Sequence, residues 1–250
     1  MTKQKTEAEV AAMRQSGAIL AHVLQTLKNE LSVGMTTKDL SAIAKRELKA
    51  MGGRPAFLGY YGFPDIICTS LNDEVVHGIP SEFQEIASGD IVSMDFGVVI
   101  DDMITDAAIS VIAGPKKDKK AEKLLKTTEA SLQKGIKQVR AGCRVGDIAA
   151  AIQAELDIGN YGIVRDLVGH GVGHNLHEEP NIPNYGKKGS GPILKENMTI
   201  AIEPMATLGS HSVYVDKDGW TVKTRDGSLS AHFEHTILVT KNGAEILTQL

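Results

Sequence analysis

The chain repeats itself. Shifting its 250 residues by 108 positions lays Leu31-Ser-Val-Gly34, Asp39-Leu40, Ala42 and Glu47-Leu48 over Val139-Arg-Ala-Gly142, Asp147-Ile148, Ala150 and Glu155-Leu156. Gly34, Asp39, Ala42, Glu47 and Leu48 each recur, and the same shift lays Ile91-Val-Ser-Met-Asp95 over Thr199-Ile-Ala-Ile-Glu203. A repeat of this kind means two related units that share a core by packing on each other. It predicts a single α+β catalytic domain of two halves, about 1–114 and 115–250. Each half brings a carboxylate, Asp95 or Glu203, to the seam between them.

The element order repeats as well. Thr6 with Glu9 three residues later forms a capping box. Val10, Met13, Gly17, Leu20, Leu24, Leu27 and Leu31 then recur at helical spacing. A second helix is predicted from Thr36 or Thr37 to about Met51, stopped by Gly52-Gly53. Residues 66–70 read as a strand and 91–113 as a hairpin turning at Asp101-Asp102. Helices are predicted again near 119–139 and 147–156, then strands near 199–203, 213–215 and 232–240, with 181–192 a loop.

Hydrophobic residues at 42% and charged residues at 23% place the chain among ordinary soluble enzymes rather than disordered proteins. The net charge of -4 argues against a nucleic-acid-tracking surface. The two cysteines, Cys68 and Cys143, are too few for a disulfide framework and suit a reducing cytoplasm. Neither a signal peptide nor a membrane span is expected. The run Lys116-Lys-Asp-Lys-Lys120 reads as a solvated helix start, with a transient ribosome contact as the alternative.

The chemistry is carried by acids in strands that should be apolar. Asp95, Asp106, Glu203 and Glu234 each stand among neighbours of central-strand type. A buried carboxylate is costly unless it is paired or metal-bound. Asp95 and Asp106 flank the hairpin turn and should be near neighbours, with a bulge to align them. Four carboxylates at one seam repel each other without cations, and two divalent ions would balance their charge. His170, in Gly169-His-Gly-Val-Gly173, supplies a nitrogen ligand. A mostly oxygen set with one imidazole suits Mn, Fe or Co, with Zn a further option. Such a pair of ions holds a water acidified enough to attack at neutral pH. His77 and His177 lie in loop motifs and are candidates for positioning substrate and moving protons. His174 and His211 read as ordinary surface histidines.

These residues resemble methionine aminopeptidases of type I. The resemblance rests on Asn72-Asp-Glu-Val-Val-His77-Gly-Ile-Pro80, Asp95 with Asp106, Gly169-His170-Gly-Val-Gly with His177-Glu-Glu-Pro180, Ile202-Glu203-Pro-Met205, Asp218-Gly-Trp220 and Glu234-His235-Thr236. It covers nearly the whole chain in order, and it lacks the extension and insertion of other subclasses. It implies the pita-bread fold, an antiparallel sheet covered by helices around two metal ions, and removal of initiator methionine ahead of a small second residue. Asp95 would chelate one ion, Asp106 and Glu234 would bridge both, and His170 and Glu203 would complete the second. Glu203 would act as general base, with His77 and His177 contacting substrate. The methionine pocket would comprise Tyr60, Phe63, Cys68, His77, Leu176 and Trp220, with Phe57 at its edge. Leu176 replaces an aromatic frequent in the family, Gly97 a threonine, and Ala107 a threonine or serine. An X-Pro peptidase of the same fold, or a relative that lost catalysis and binds partners, are the alternatives.

Overall fold

The two strongest helix signals have a physical origin visible at their ends. The computed structural model describes residues 2–115 and 118–249. Helix α1 (Glu7–Glu30) begins at the Thr6–Glu9 capping box, and α2 (Thr37–Met51) at a second one formed by Thr36 and Asp39. Gly52 closes α2 in the left-handed conformation, at φ 76°. Helices α3 (Lys119–Ile136) and α4 (Val145–Ile158) complete the set; α3 stops three residues before the predicted end and α4 extends beyond both predicted ends. Of the lysine run, Lys116 and Lys117 lie outside the described residues, and Asp118 caps α3 by accepting the Lys120 N–H at 2.8 Å.

The predicted hairpin is the strands Ile91–Ile100 and Met103–Ile112. They form a four-stranded sheet with Ile67–Leu71 and Arg54–Pro55. A five-stranded sheet runs Ala244–Ile246, His235–Val239, Thr199–Ile202, Gly169–Gly171, Glu178–Ile182. Two three-stranded sheets complete the set among the described residues, and every strand pair there is antiparallel. The strand Glu178–Ile182 falls partly where a loop was expected, and the predicted strand 232–240 is two strands, Ser230–His232 and His235–Val239. Strands of two or three residues, such as Gly162–Ile163 and Met205–Thr207, are too short to show alternation in sequence.

The 108-residue offset holds in the backbone register. Arg54 pairs with Val99 and Pro55 with Val98, while Gly162 pairs with Thr207 and Ile163 with Ala206. The isolated bridges Thr36–Glu85 and Arg144–Ile193 obey the same offset. Each half packs two helices on its own sheet. Leu20, Leu24, Leu27, Leu40 and Ile43 cover Val92, Met94, Phe96 and Val98 in the first. Leu124, Leu132, Ile148 and Ile152 cover Ile200, Ile202 and Ile237 in the second.

Strand alternation then fixes what faces the seam. With Val92, Met94, Phe96 and Val98 against the helices, Ser93, Asp95 and Gly97 point the other way. In the partner strand Ala107, Ile109 and Val111 face the helices, leaving Asp106, Ala108 and Ser110 on the seam. In the second half Ala231 and Phe233 join the helical core, which turns His232 and Glu234 to the seam. The acids are buried there because the backbone puts them on the inner face, opposite the helix layer.

Candidate metal centre

Asp95 and Asp106 reach one site without a bulge. The hairpin register runs unbroken, pairing Asp95 with Ala108 and Asp106 with Gly97. The expected bulge is absent because two residues of offset keep both side chains on one face, and diagonal neighbours on a twisted sheet converge. The second half is stitched to this hairpin at the acids themselves. Glu234 donates its N–H to the Ala108 carbonyl at 2.9 Å, and the Thr236 hydroxyl donates to the Asp106 carbonyl at 2.8 Å while accepting the Asp106 N–H at 2.9 Å. Glu203 follows the strand Thr199–Ile202, at the break made by Pro204.

His170 lies on the short strand Gly169–Gly171, whose glycines sit where a Cβ would collide with the neighbouring strands, at 2.4 Å from the Ala201 carbonyl oxygen for Gly169. Its Nδ1 donates to the Gly171 carbonyl at 3.0 Å, leaving the Nε2 lone pair toward the acids. Nε2 stands 3.4 Å from Oε1 of Glu203. Ligand atoms of Asp106, His170 and Glu234 all lie within 4.8 Å of one another.

The charges in this cluster do not tolerate each other unaided. Burial, then mutual repulsion, pushes the carboxyls of Asp106 and Glu234 far above the usual range. Burial likewise raises Asp95 and Glu203. It also holds His170 down at about 3, so its imidazole is neutral and the 3.4 Å contact with Glu203 is no ion pair. Oδ1 of Asp95, Oδ1 of Asp106 and Oε1 of Glu234 are buried with no hydrogen-bond partner among the described residues. Orphaned carboxylate oxygens aimed at a neutral imidazole nitrogen are the donor set of a divalent-cation site.

Beside the acids opens a cleft of about 200 Å³. All the sequence-predicted site residues line it: Asp95, Asp106, His170, Glu203 and Glu234 at one end, and Tyr60, Phe63, Cys68, His77, Leu176, His177 and Trp220 around the rest, with Phe57. Phe57, Phe63, Cys68 and Leu176 form an apolar cluster, and Trp220 meets Phe63 edge-on with ring centroids 5.1 Å apart. Gly97 makes room for this wall: a Cβ there would lie 2.8 Å from Cε1 of Phe57 and from Cβ of Ala56.

The two loop histidines are tightly held. His77 sits at φ 61°, a strained conformation, beside Gly78, where a Cβ would strike the Thr69 carbonyl oxygen at 2.2 Å. Burial lowers His77 to about 4, so it is neutral at pH 7. His177 stacks edge-on to His170 with centroids 4.3 Å apart, and its Nδ1 bonds the Tyr60 hydroxyl at 2.8 Å. Burial raises Tyr60, so the phenol keeps its proton, and a His177 tautomer with N–H on Nε2 would accept it at Nδ1. The turn after His177 is braced from the N-terminal segment, where buried Lys5 lies 3.7 Å from Glu178. His174 instead pairs with Glu9 at 2.7 Å, and His211 is exposed; neither lines the cleft.

Two lining or neighbouring residues were missed. Tyr61 lines the cleft at φ 46° and is 86% exposed. His232 is buried, 3.6 Å from Oε2 of Glu203. The signal for His232 was present: it precedes Glu234 by two residues, the spacing that puts strand residues on one face.

The profile of metallopeptidase family M24 matches residues 11–241. The chain is 44% identical to methionine aminopeptidase 1 of Bacillus subtilis over 246 residues, covering 98% of each. It is 43% identical to methionine aminopeptidase of Clostridium acetobutylicum over 244 residues, 98% of this chain and 97% of that one. The crystal structure of methionine aminopeptidase from Thermotoga maritima superposes with a TM-score of 0.98 at 43% identity, covering all of both chains. Prolidase from Pyrococcus furiosus shares the fold at a TM-score of 0.79 and 22% identity, and this chain spans 65% of it. Helices outside, antiparallel sheets within and acids at a pseudosymmetric seam are thus the pita-bread fold, and the chain belongs to metallopeptidase family M24.

Proposed function

We propose that this chain is a methionyl aminopeptidase that hydrolyses the first peptide bond of polypeptides beginning with methionine. The observation that carries the reading is the junction of two unlike surfaces: orphaned buried carboxyl oxygens at one end of the cleft and an apolar wall of Phe63, Cys68, Leu176 and Trp220 at the other. The first fits divalent cations, and the second fits an unbranched thioether side chain. The names of relatives 43–44% identical over nearly the full chain support the same activity.

Five residues, Asp95, Asp106, His170, Glu203 and Glu234, would hold two divalent cations, of which Mn, Fe or Co suits the donor set and Zn is a further option. Bound there, such ions supply Lewis acidity toward the scissile carbonyl and acidify the attacking water. Asp106 and Glu234, one from each half, would be shared between the two cations, with Asp95 serving one and His170 and Glu203 the other. Glu203 takes the proton of the attacking water and passes it toward the leaving nitrogen. His177, held through Nδ1 by the Tyr60 hydroxyl, donates from Nε2 to the developing oxyanion, an effect worth about 3–4 kcal/mol per donor elsewhere. His77 is neutral at pH 7, so it donates a hydrogen bond to the leaving nitrogen rather than a ready proton.

The two halves, 1–114 and 115–250, act as one catalytic unit, since each would supply acids to the same cations. No described helix is long and apolar enough to cross a membrane, and Cys68 and Cys143 are unpaired. A cytoplasmic setting fits those thiols. The substrate there is a peptide or nascent-protein N-terminus, with any ribosome contact transient.

A small second residue is the finer expectation. Peptides Met-Ala-Ser and Met-Lys-Ser, assayed with cation-loaded enzyme, distinguish it: the first should be cleaved and the second spared. Equal cleavage would remove the size limit, and cleavage of Met-Pro bonds alone would favour an X-Pro peptidase.

A further inference from the structure

His232 has no place in the scheme above, yet its surroundings are unusual. It is 1% exposed, and neither Nδ1 nor Nε2 has a hydrogen-bond partner among the described residues. Leaving buried polar groups unpaired costs roughly 1–3 kcal/mol, and a core position on a strand could hold an apolar residue without that cost. Its backbone is rigid. The N–H donates to the Ser110 hydroxyl at 2.9 Å, that hydroxyl donates to the His232 carbonyl at 2.8 Å, and His232 pairs with Met205. The imidazole therefore points where the strand sends it, onto the seam. Its Nε2 faces Oε2 of Glu203 at 3.6 Å, while Nε2 of His170 faces Oε1 of the same carboxyl at 3.4 Å.

We propose that His232 is a positioning residue that divides the labour of Glu203: its imidazole donates Nε2–H to Oε2, which leaves Oε1, beside His170, for the cation. The contact needs to shorten by about 0.7 Å to reach an ordinary N–H···O distance. Glu203 serving a cation would be a carboxylate, and a hydrogen bond to a charged acceptor is shorter and stronger than a neutral one. Glu203 needs such a guide because it sits at a strand break, with a side chain one methylene longer than that of Asp95. This assignment rests on the reading of the acid cluster as a two-cation hydrolytic site.

The test compares full-length wild type, His232→Gln, which keeps a side-chain N–H, and His232→Leu, which keeps similar volume without a donor. Each is loaded with Co(II) and followed by its visible absorption, by Co(II) titration calorimetry and by kcat and KM on Met-Ala-Ser. Each is also melted after EDTA treatment. The expected result for His232→Leu is a kcat lower by about 10- to 100-fold, the usual loss when a partner of a metal ligand is removed. Its KM should stay near wild type, its Co(II) spectrum should shift, and its EDTA-treated melting point should be no lower than wild type. His232→Gln should restore most of kcat and the spectrum. The assignment is overturned if His232→Leu keeps wild-type kcat and spectrum, if its EDTA-treated form melts well below wild type, or if His232→Gln restores neither. Failure of the wild type to cleave Met-Ala-Ser would overturn the aminopeptidase reading instead, while the Co(II) spectra still judge His232.

Discussion

The two halves of the molecule solve one problem with different materials. In the first, Asp95 stands in the middle of an unbroken ten-residue strand, held by pairing on both sides, with Cys68 and with Ala108. In the second, 108 residues on, Pro204 splits the equivalent strand into Thr199–Ile202 and Met205–Thr207, and Glu203 hangs at the gap. A short acid on a rigid strand needs no further guide. A longer acid at a break must be aimed by its neighbours, and here those are two imidazoles, His170 and His232. Duplication gives the frame twice, and divergence lets one copy trade stiffness for a side chain free to carry protons.

The comparison breaks most sharply at the seam. Asp106→Asn, in the first half, removes a carboxylate shared with Glu234 of the second. Activity should fall by more than the roughly 100-fold typical of losing a ligand's partner. Metal analysis should find the cation content lost with it; retained activity would end the bridging role of Asp106.

A smaller effect tests whether acids of both halves titrate as a set. Burial raises Asp95, Asp106, Glu203 and Glu234 in the cation-free protein. For groups raised on folding, the stabilisation is complete below the ordinary carboxylate range near 4 and is lost as pH rises through the raised values. Cations need the ionised forms, so their affinity grows over the same range. The melting temperature gained on adding Mn(II) should therefore widen between about pH 5.5 and 8. Each kcal/mol adds roughly 2–4 °C at this chain length. A gap that narrows across that range would mean the acids are ionised without cations.

The smallest effect lies at the equivalent helix starts. Thr36 caps α2 through its hydroxyl, accepting the Asp39 N–H at 3.2 Å. Its counterpart Arg144 has no side-chain acceptor, and at the start of α4 Asp147 alone closes the box by accepting the Arg144 N–H at 2.9 Å. Thr36→Ala should cost about 1 kcal/mol in urea unfolding, and Arg144→Ala less. Equal losses would mean that the arginine, through its 2.7 Å bond to the Gly191 carbonyl, has taken over the capping role.

Much of this was legible before any coordinates. The cap at Thr6, a helix start at Thr36 or Thr37 and the hairpin 91–113 are local signals, and local physics wrote them. The acids were found because polarity inside an apolar strand is costly, and that cost is visible in sequence. The failures share a cause. Whether a bulge aligns Asp95 with Asp106 depends on register, which alternation alone does not settle. That residues 232–240 form two strands follows from the Ala108–Glu234 bridge, a contact 126 residues apart. The spacing to Glu234 puts His232 on the same face, but its place beside Glu203 comes from another strand and is not written locally. Tyr61 adopts its positive φ inside a glycine-punctuated turn, where no periodicity exists to read.

Gly97 gives the cleft a constraint of its own. The Phe57 ring occupies the space into which any side chain at position 97 would grow, on the very strand that carries Asp95. Aromatic lining and polar support for the acid are therefore rivals for one volume. A hydroxyl gained at 97 to steady the aspartate would have to move Ala56 and the Phe57 ring, so the support of the acid and the shape of the apolar wall are coupled through a single missing methyl group.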